Sequence, residues 1–215
     1  MKIYGHPGST CTRKVLTVLL EKQATFDFEI VDLAKREQKA PANLKRHPFA
    51  VVPTLEDAGF WLYESRAIIR YLDRRLPGEA LTPTDAHGFA RMEQFISVEQ
   101  SYFSGPAMVL VGELLMAPQR GNTTDMTKVE NATPKLKAAM EVLDRHLNQN
   151  PFFAGERFSL ADISFMPYVE MLKQTNLGQR MLSERVSLSG WWDRVSARPS
   201  WQAVRDNKAV LLKSV

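Results

Sequence analysis

The chain has a single cysteine, Cys11, among its 215 residues, so it can form neither an internal disulfide nor a Cys-x-x-Cys redox motif. Its four histidines are scattered without the spacing of metal ligands, which argues against a structural or catalytic metal ion. No apolar run approaches the roughly 20 residues of a membrane-spanning helix, and the N-terminus has no apolar signal core. We therefore expect a cytoplasmic protein with no metal ion and no membrane partner.

The sequence also lacks any block of charge of one sign. Lys and Arg number 28, and Asp and Glu number 24, which gives a net charge of +4. Because basic and acidic residues are interspersed, this small excess does not indicate a nucleic-acid partner. The content of 44% hydrophobic and 24% charged residues is ordinary for a globular protein, and the length fits one large domain or two small ones.

Residues 1–48 predict a strand, a helix, a second strand and an irregular segment. Lys2–Tyr4 is a short strand candidate, and Ser9-Thr10 can cap the helix that follows it. Apolar and polar residues alternate over Phe26–Val31, which is the periodicity of a strand. Residues 33–48 are polar and interrupted by prolines, so we expect a loop with a short irregular helix there.

A hairpin and a helix follow. Thr54–Glu56 and Phe60–Tyr63 are β-prone runs on either side of Asp57-Ala58-Gly59, whose glycine can take a positive φ. Ser65 is a good N-cap for the next helix, which carries its apolar residues at helical spacing. The order βαβ then ββα predicts a small thioredoxin-like α/β domain with a mixed sheet.

From about residue 85 the periodicity is helical throughout. The predicted helices are a long segment from Asp85 to Ala117 that is broken or bent near Gly105-Pro106, a helix over Thr127–Asn148, a helix from Ser159 to Leu177, and shorter pieces over Gly190–Ala197 and Pro199–Asn207. The run Ser159-Leu160-Ala161-Asp162 is a capping box, so we interpret Asp162 as a structural cap and not as a catalytic acid. We thus predict a thioredoxin-like domain over 1–78, a linker over 79–86 and an all-helical domain over 87–215.

The centre of the first domain resembles a known binding site. Glu64 and Ser65 place a carboxylate and a hydroxyl at a helix N-terminus, which holds anions well. Together with the hairpin and Val52-Pro53-Thr54-Leu55, they resemble the glutathione site of the glutathione transferase family. The resemblance implies that Pro53 is cis, whereas composition alone favours trans. It also implies that the backbone of Val52 pairs with the cysteinyl backbone of glutathione, and that Glu64 and Ser65 bind the γ-glutamyl end.

The N-terminal run Tyr-Gly-His-Pro-Gly-Ser-Thr-Cys-Thr-Arg-Lys-Val-Leu resembles the start of phi-class transferases, in which a serine activates the glutathione thiol. Carried over, that serine is Ser9. A thiol with a pKa near 8.5 is mostly protonated at neutral pH, so catalysis requires stabilisation of its anion, and a hydroxyl at a helix N-terminus can supply it. The residues alone favour a plain N-cap as the interpretation of Ser9, and it is the combined motifs that favour the catalytic role.

Cys11 keeps a second hypothesis open. The omega and beta classes of the family use a cysteine in this region to form mixed disulfides with glutathione, which would make the protein a glutathione-dependent peroxidase or thiol reductase. The alternative is a half-buried, inert Cys11. A third hypothesis is a non-enzymatic binding module of the same fold, against which we note that the chain keeps Ser9, Glu64 and Ser65.

The run Glu37-Gln38-Lys39 matches a Glu-His-Lys loop of the phi class. The resemblance implies that Lys39 pairs with the glycine carboxylate of glutathione and that Gln38 donates through its amide in place of histidine. The alternative is a solvated charged loop.

The run His47–Pro53 matches the phi sequence Asn-Pro-Phe-Gly-Gln-Val-Pro, and the resemblance places Val51, Val52 and Pro53 in the glutathione site. Val51 replaces the family glutamine, so a side-chain hydrogen bond is absent, while binding through the backbone of Val52 survives. Phe49 is a candidate dimer contact, or else a buried loop aromatic.

The combined motifs indicate a cytosolic, phi-like glutathione transferase, bacterial-type in its short termini, that acts as a homodimer. The implied reaction is attack by a Ser9-stabilised glutathione thiolate on an apolar electrophile. We expect the electrophile in an apolar cleft between the domains, for which Phe103, Met108 and Tyr168 are candidate linings, although residues at such spacing are often core.

Overall fold

The computed structural model describes residues 1–211 of the chain. It has two compact units, one formed by Met1–Thr82 together with the chain from Ala197 onward, and the other by Pro83–Ser196. The predicted helical domain extended over 87–215. By their contacts, the helices after Ala197 group instead with the first unit.

The first unit contains the predicted order of strands and helices. Its elements are β1 (Lys2–Gly5), α1 (Thr10–Glu21), β2 (Asp27–Ile30), a 3₁₀ turn (Glu37–Lys39), α2 (Pro41–Arg46), β3 (Thr54–Asp57), β4 (Phe60–Tyr63) and α3 (Ser65–Arg75), followed near the C-terminus by α11 (Pro199–Arg205) and α12 (Lys208–Leu211). The irregular segment predicted over 33–48 is confirmed as loop, 3₁₀ turn and short helix. The predicted strand over Phe26–Val31 is shorter by a residue at each end.

The four strands form one mixed sheet in the order β2-β1-β3-β4. β1 pairs with β2 in parallel and with β3 antiparallel, and β3 pairs with β4 antiparallel. Ile3 of β1 lies opposite Leu55 of β3, and both side chains are fully buried. The helices α1 and α3 pack against each other. The thioredoxin-like α/β prediction is confirmed.

The predicted hairpin is present, with a tighter connection than expected. The strands pair as far as Asp57 and Phe60, which leaves Ala58-Gly59 as a two-residue loop. Both loop residues have positive φ, 52° for Ala58 and 87° for Gly59. Two positive φ values match the right-handed twist of a hairpin, and the amide of Gly59 is held by Glu56 Oε1 at 2.7 Å.

The C-terminal segment is attached to α1 by one carboxylate. The guanidinium of Arg198 donates to both oxygens of Glu21, at 2.8 and 2.6 Å, and the Ser200 hydroxyl also donates to it. Burial raises the pKa of the Glu21 carboxyl, but the hydrogen bonds from Arg198 and Ser200 outweigh that effect, so its pKa lies below the ordinary value. This contact spans 177 residues of sequence, and no local pattern could have predicted it.

The second unit is entirely helical. Its elements are α4 (Ala86–Val98), a π-helical segment (Glu99–Phe103), α5 (Ser104–Val111), a second π-helical segment (Gly112–Met116), α6 (Ala117–Gln119), α7 (Met126–Leu147), α8 (Leu160–Lys173), α9 (Asn176–Ser183) and α10 (Val186–Ser196). The predicted helix over Thr127–Asn148 is present as α7, and its residues Leu136, Met140 and Leu143, spaced by three or four, are fully buried. The all-helical prediction for this region holds.

A π-helical turn lies just before Gly105-Pro106, where the sequence predicts a break or a bend. Pro106 is the third residue of α5, directly after the first π segment, and the chain remains helical through it. A π turn closes i to i+5 hydrogen bonds, here from the Ser104 amide to Glu99 O. The wider turn accommodates the missing proline N–H, so the helix continues.

The helix predicted from Ser159 to Leu177 is two helices. α8 ends at Lys173, and the Thr175 hydroxyl caps α9 by accepting from the Gly178 amide at 3.0 Å. A Cβ at Gly178 would lie 2.3 Å from the carbonyl oxygen of Leu172, so only glycine fits this close approach. The capping box that begins α8 is confirmed.

Within residues 1–211, no helix is both long and apolar enough to cross a membrane. In the same part of the chain, no cluster of three or more His, Cys, Asp or Glu side chains is arranged to hold a metal ion.

Candidate active site

The sheet register brings separate parts of the sequence to one edge. Tyr4, Thr54 and Tyr63 lie side by side across β1, β3 and β4. β1 runs towards this edge, β3 runs away from it and β4 runs towards it again, because adjacent strands of the three are antiparallel. The segments that follow β1, precede β3 and follow β4 therefore meet there.

These three segments contain most of the predicted glutathione-site residues. They are Ser9 after β1, Val51, Val52 and Pro53 before β3, and Glu64 and Ser65 after β4. β2 is parallel to β1, so the loop with Gln38 and Lys39 also leaves the sheet at this edge. The topology thus brings six of the eight predicted residues to one edge of a single unit, and the loop that carries Gln38 and Lys39 leaves the sheet at the same edge.

Ser9 is the N-cap of α1 and has extended backbone angles. Its Oγ accepts a hydrogen bond from the amide of Thr12 at 3.3 Å, and its own amide donates to the carbonyl of His6 at 2.9 Å. A hydroxyl can accept and donate at once, so the Ser9 O–H proton is not used by the cap. The two interpretations of Ser9, cap and thiolate donor, are therefore compatible.

The peptide bond between Val52 and Pro53 is cis, as the resemblance implied. β3 begins at Thr54, so the amide and carbonyl of Val52 lie outside the sheet ladder. Val51 is half exposed, and its aliphatic side chain has no group with which to replace the hydrogen bond of a glutamine.

The N-cap of α3 is Glu64 and not Ser65, which corrects the sequence-based prediction. Ser65 is the first helical residue and is buried. Glu64 has φ 69° and ψ 106°, a conformation that costs of order 1–3 kcal/mol for a residue with a side chain. Its carboxylate makes no capping hydrogen bond and is on an exposed residue. A strained, exposed carboxylate at a helix N-terminus is typical of a binding site.

Two helix N-termini lie at this edge, those of α1 and α3. Neither helix has an acidic residue in its first turn, so no side-chain charge from within the helix offsets the positive end of its dipole. The first backbone N–H groups of a helix have no intrahelical acceptor, so two helix N-termini with their dipoles make this edge favourable for anions.

The loop after β2 is held in place by its own hydrogen bonds. Glu37 Oε2 accepts from the Asp32 amide at 2.7 Å, and the Glu37 carbonyl accepts from Asn43 Nδ2 at 2.7 Å. Gln38 is half-buried, and within the described residues its Oε1 has no hydrogen-bond donor although it is buried. Lys39 is exposed and free to reach an anion.

His47 is a buried residue at this edge that the sequence alone did not identify as part of the site. It is 2% exposed, and its ring centre lies 4.7 Å from that of Tyr63 and 6.2 Å from that of Phe49. Burial lowers the pKa of the His47 imidazole, and the nearby Glu64 carboxylate raises it by less. The signal in the sequence was that His47 begins the run His47–Pro53, where the phi-class sequence has asparagine.

Comparison with known proteins agrees with this geometry. The family model described as glutathione S-transferase, N-terminal domain, matches residues 8–75, and that described as glutathione S-transferase, C-terminal domain, matches residues 103–199. Glutathione S-transferase F12 of Arabidopsis thaliana is 36% identical over 204 residues, which cover 94% of this chain and 95% of that protein. This chain belongs to the glutathione S-transferase family.

Solved structures of the family superpose on nearly the whole chain. Glutathione transferase F7 from Populus trichocarpa aligns with a TM-score of 0.89 and 32% identity, covering 97% of this chain and 98% of that one. Glutathione S-transferase I from maize, in complex with an atrazine glutathione conjugate, aligns with a TM-score of 0.86 and 30% identity over 99% and 98% of the two chains. The fold prediction is confirmed in full.

The protein is therefore a glutathione transferase of the phi class, and glutathione is its co-substrate. These relatives are plant proteins, so the bacterial-type label drawn from the short termini is corrected.

The three residues expected to contact the electrophile differ in how much of their surface is exposed. Phe103 is fully buried with its ring 5.1 Å from that of Phe165, and Tyr168 is 4% exposed. Both are buried in the helical unit, so they have little or no surface with which to line an open cleft. Met108 is half-buried and is the one of the three that retains accessible surface.

Cys11 is the second residue of α1 and is half-buried and free. The helix places it within one turn of Ser9, but its thiol is not the N-cap. A half-buried thiol near a helix N-terminus fits both the inert interpretation and the thiol-reductase hypothesis, so the role of Cys11 stays a prediction.

Proposed function

We propose that this transferase conjugates the thiolate of glutathione to apolar electrophiles, and that Ser9 is the residue that stabilises the thiolate. The observation that carries the proposal is the geometry of Ser9. Its Oγ accepts from the Thr12 amide at the N-terminus of α1, so that its O–H proton remains available for a sulfur anion. Accepting a hydrogen bond also polarises the hydroxyl and makes it a better donor.

The magnitude is sufficient for catalysis. A hydrogen bond to a charged group contributes about 1.5–3 kcal/mol, and a helix N-terminus contributes about 0.3–1 kcal/mol. Together, about 2–4 kcal/mol of preference for the anion lowers a thiol pKa by about 1.5–3 units, since one unit is about 1.4 kcal/mol. An ordinary thiol with a pKa of about 8.5 would then be largely ionised at neutral pH.

In the proposed reaction the thiol proton leaves to solvent and the sulfur lone pair forms a bond to the electrophilic carbon. The bond from that carbon to its leaving group breaks, and the leaving group departs with the electron pair. Ser9 donates a hydrogen bond throughout and forms no covalent bond. The protein supplies orientation and anion stabilisation.

We further propose that the rest of glutathione is bound along the same edge. The N-terminus of α3 and the Ser65 hydroxyl can bind the α-carboxylate of the γ-glutamyl group. The Glu64 carboxylate, which makes no capping hydrogen bond, can pair with its ammonium. The backbone of Val52 pairs with the cysteinyl unit, and Lys39 with Gln38 binds the glycine carboxylate. The position of these residues at one edge supports the assignment.

The apolar character of the second substrate is supported by a relative. The maize protein named above was solved with a glutathione conjugate of atrazine. We assign Met108 as the remaining candidate among the predicted contact residues, because it alone retains accessible surface. A Met108→Ala variant with an altered KM for the electrophile and an unaltered KM for glutathione would support this, and unchanged kinetics would oppose it.

The test of the central proposal is conjugation of chlorodinitrobenzene at saturating glutathione by Ser9→Ala, with Thr10→Ala as the matched control on the next residue. We expect the first variant to lose about 10²–10³-fold in kcat, to keep its KM for glutathione within a small factor, and to lose the ultraviolet absorbance of the bound thiolate. Thr10→Ala should behave like the native enzyme. Native turnover by Ser9→Ala would refute the assignment.

We also propose that the transferase acts as a homodimer in the cytoplasm. Phe49 is 69% exposed, so the alternative that it is a buried loop aromatic is wrong. In the helical unit, α7 and the segment from Val98 to Pro106 enclose an apolar groove of about 500 Å³ that includes the exposed ring of Tyr102. Both surfaces are suited to a second copy. Sedimentation of Phe49→Asp should show more monomer than the native protein, and an unchanged dimer would exclude Phe49. Cell fractionation would test the location.

A further inference from the structure

The position of Ser9 is set by the short turn that joins β1 to α1. The amide of Ser9 donates to the carbonyl of His6 at 2.9 Å, which closes a four-residue turn with Pro7 and Gly8 at its centre. Proline at the first central position fixes φ as such a turn requires. Any change in this turn therefore moves the Ser9 hydroxyl.

The imidazole of His6 holds the inside of the turn. Its Nδ1 accepts a hydrogen bond from the Gly8 amide, with an N···N distance of 3.1 Å. A side chain that accepts from the amide two residues later is the arrangement that asparagine and aspartate form in Asx-turns. Because Nδ1 accepts, the proton of the neutral ring is on Nε2.

The fit of the ring against Gly8 is close. A Cβ at position 8 would lie 3.2 Å from both Cε1 and Nδ1 of His6, which is tighter than ordinary van der Waals contact. Gly8 has a backbone conformation that other residues can adopt, so it is the nearby ring that favours glycine here.

The outer side of the turn is attached to α1. Thr12 Oγ1 accepts from the His6 amide at 3.4 Å, and Arg13 Nε donates to the Pro7 carbonyl at 2.8 Å. A Cβ at Gly5 would lie 2.7 Å from Thr12 Cγ2, so the strand end approaches the helix closely. These contacts hold the backbone of the turn to the helix, and the His6 ring fixes the amide of Gly8, the residue before Ser9.

We propose that His6 is a positioning residue for the transferase reaction, which accepts the Gly8 amide through Nδ1 and so holds the Ser9 hydroxyl at the sulfur of glutathione. The inference rests on the proposed role of Ser9. His6 acts on the thiolate only through Ser9. This role requires only a hydrogen-bond acceptor at a defined distance from Cβ, which is Nδ1. The Nε2 nitrogen has no part in it.

The experiment compares His6→Ala, His6→Asn and His6→Gln with the native enzyme and with Ser9→Ala. Asparagine Oδ1 is two bonds from Cβ, as Nδ1 is in histidine, whereas glutamine Oε1 is three bonds away. His6→Asn therefore restores the acceptor by forming an Asx-turn, and His6→Gln places an acceptor at the wrong distance while matching the polarity.

We expect His6→Ala and His6→Gln to lose about 10- to 100-fold in kcat with chlorodinitrobenzene, because a displacement of about 1 Å in a catalytic group can cost 10²-fold. The KM for glutathione should change by much less, since the turn does not carry the other binding residues. His6→Asn should recover most of kcat and of the thiolate absorbance of bound glutathione at fixed pH.

The outcomes separate the two proposals. If Ser9→Ala loses turnover but His6→Ala keeps native kcat and thiolate absorbance, the positioning role is refuted and that of Ser9 stands. If His6→Gln recovers as well as His6→Asn, the Nδ1 acceptor is not what matters, and the inference is again refuted. If Ser9→Ala keeps native turnover, both proposals fall. Should His6→Ala not fold, the asparagine and glutamine pair decides the question.

Discussion

Asp162 offers the sharpest prediction about what holds the helical unit together. Its side chain is fully buried and accepts four hydrogen bonds. Oδ1 accepts from the Phe153 amide at 3.1 Å and from Trp191 Nε1 at 2.8 Å. Oδ2 accepts from the amide of Ser159 at 2.8 Å and from its hydroxyl at 2.9 Å. One carboxylate thus joins the start of α8, the preceding loop and α10.

Asp162→Ala leaves three fixed donors buried without acceptors, since the Ser159 hydroxyl alone can rotate. Each unsatisfied donor costs about 1–3 kcal/mol, and removal of the buried carboxylate returns part of its desolvation cost. We expect a net loss of about 3–5 kcal/mol in the free energy of unfolding, which is in the range that marks a broken buried network.

Asp162→Asn should cost less than the alanine change. The amide oxygen still serves Phe153 and Trp191, but the amide nitrogen faces the N–H of Ser159, so one donor is unsatisfied, at about 1–3 kcal/mol. Burial raises the pKa of the Asp162 carboxyl, and its hydrogen bonds lower that pKa by less. The neutral amide avoids this desolvation, which reduces the loss further.

The assay is urea unfolding, followed by tryptophan fluorescence, with Asp125→Ala as the control. Asp125 is also an N-cap, accepting from the Lys128 amide at 3.2 Å, but it is exposed, and loss of an N-cap costs about 1 kcal/mol. If Asp162→Ala destabilises no more than Asp125→Ala, the buried network contributes nothing beyond capping. An asparagine variant less stable than the alanine variant would likewise contradict the donor count.

Three further predictions concern the thioredoxin-like unit. The pKa of the Glu21 carboxyl is lower in the folded state than its unfolded value near 4.5, so the ionised carboxylate stabilises the folded protein at pH values above 4.5, and this contribution is lost as the pH falls through the folded pKa. The native protein should therefore be more stable than Glu21→Gln at neutral pH, by a margin that shrinks in acid. A stability difference that does not change with pH would contradict this direction of the pKa shift. Lys22 and Asp73 form an ion pair of 2.7 Å with almost no exposed side-chain surface, so Lys22→Met should cost about 3–5 kcal/mol in urea unfolding. Adding Asp73→Asn should recover part of that loss, because it removes the unpaired charge and keeps an acceptor for the Leu81 amide, which donates to Asp73 Oδ1 at 2.9 Å. A double variant no more stable than Lys22→Met would refute the pairing argument. Cys11→Ala should retain native conjugation kinetics, and loss of conjugation or of hydroperoxide turnover would favour the thiol-reductase hypothesis.

Local signals in the sequence predicted those elements whose hydrogen bonds are themselves local. The capping box from Ser159 to Asp162 joins residues three apart, and Ser9 caps a helix through Thr12, also three residues on. The hairpin follows from a glycine with positive φ between two β-prone runs. In each case the pattern and the contact occupy the same few residues, so a sequence window contains the whole interaction.

The remainder depended on backbone conformation and on long-range contacts that no short window of sequence reveals. Ser65 was predicted to be the cap of α3, because serine prefers that position, but the structure places the strained Glu64 there. The end of the chain was assigned to the helical domain, because nothing near Arg198 reveals a partner 177 residues away. Phe103 was expected at a cleft, because helical spacing cannot distinguish a core face from a pocket wall.

The two N-caps at the site edge differ in a way that matches the proposed chemistry. Ser9 caps α1 with its side chain, which occupies an acceptor site of the hydroxyl and leaves its proton to donate to a sulfur anion. Glu64 precedes α3 without capping it, so its carboxylate and the helix N-terminus remain separately available to a zwitterion. In the proposed binding mode, a serine in place of Glu64 would relax the backbone no better and would leave the ammonium of the γ-glutamyl group without a counter-ion. Binding of that ammonium, as proposed, would account for the strained residue at this edge, since its own helix gains no side-chain hydrogen bond from it.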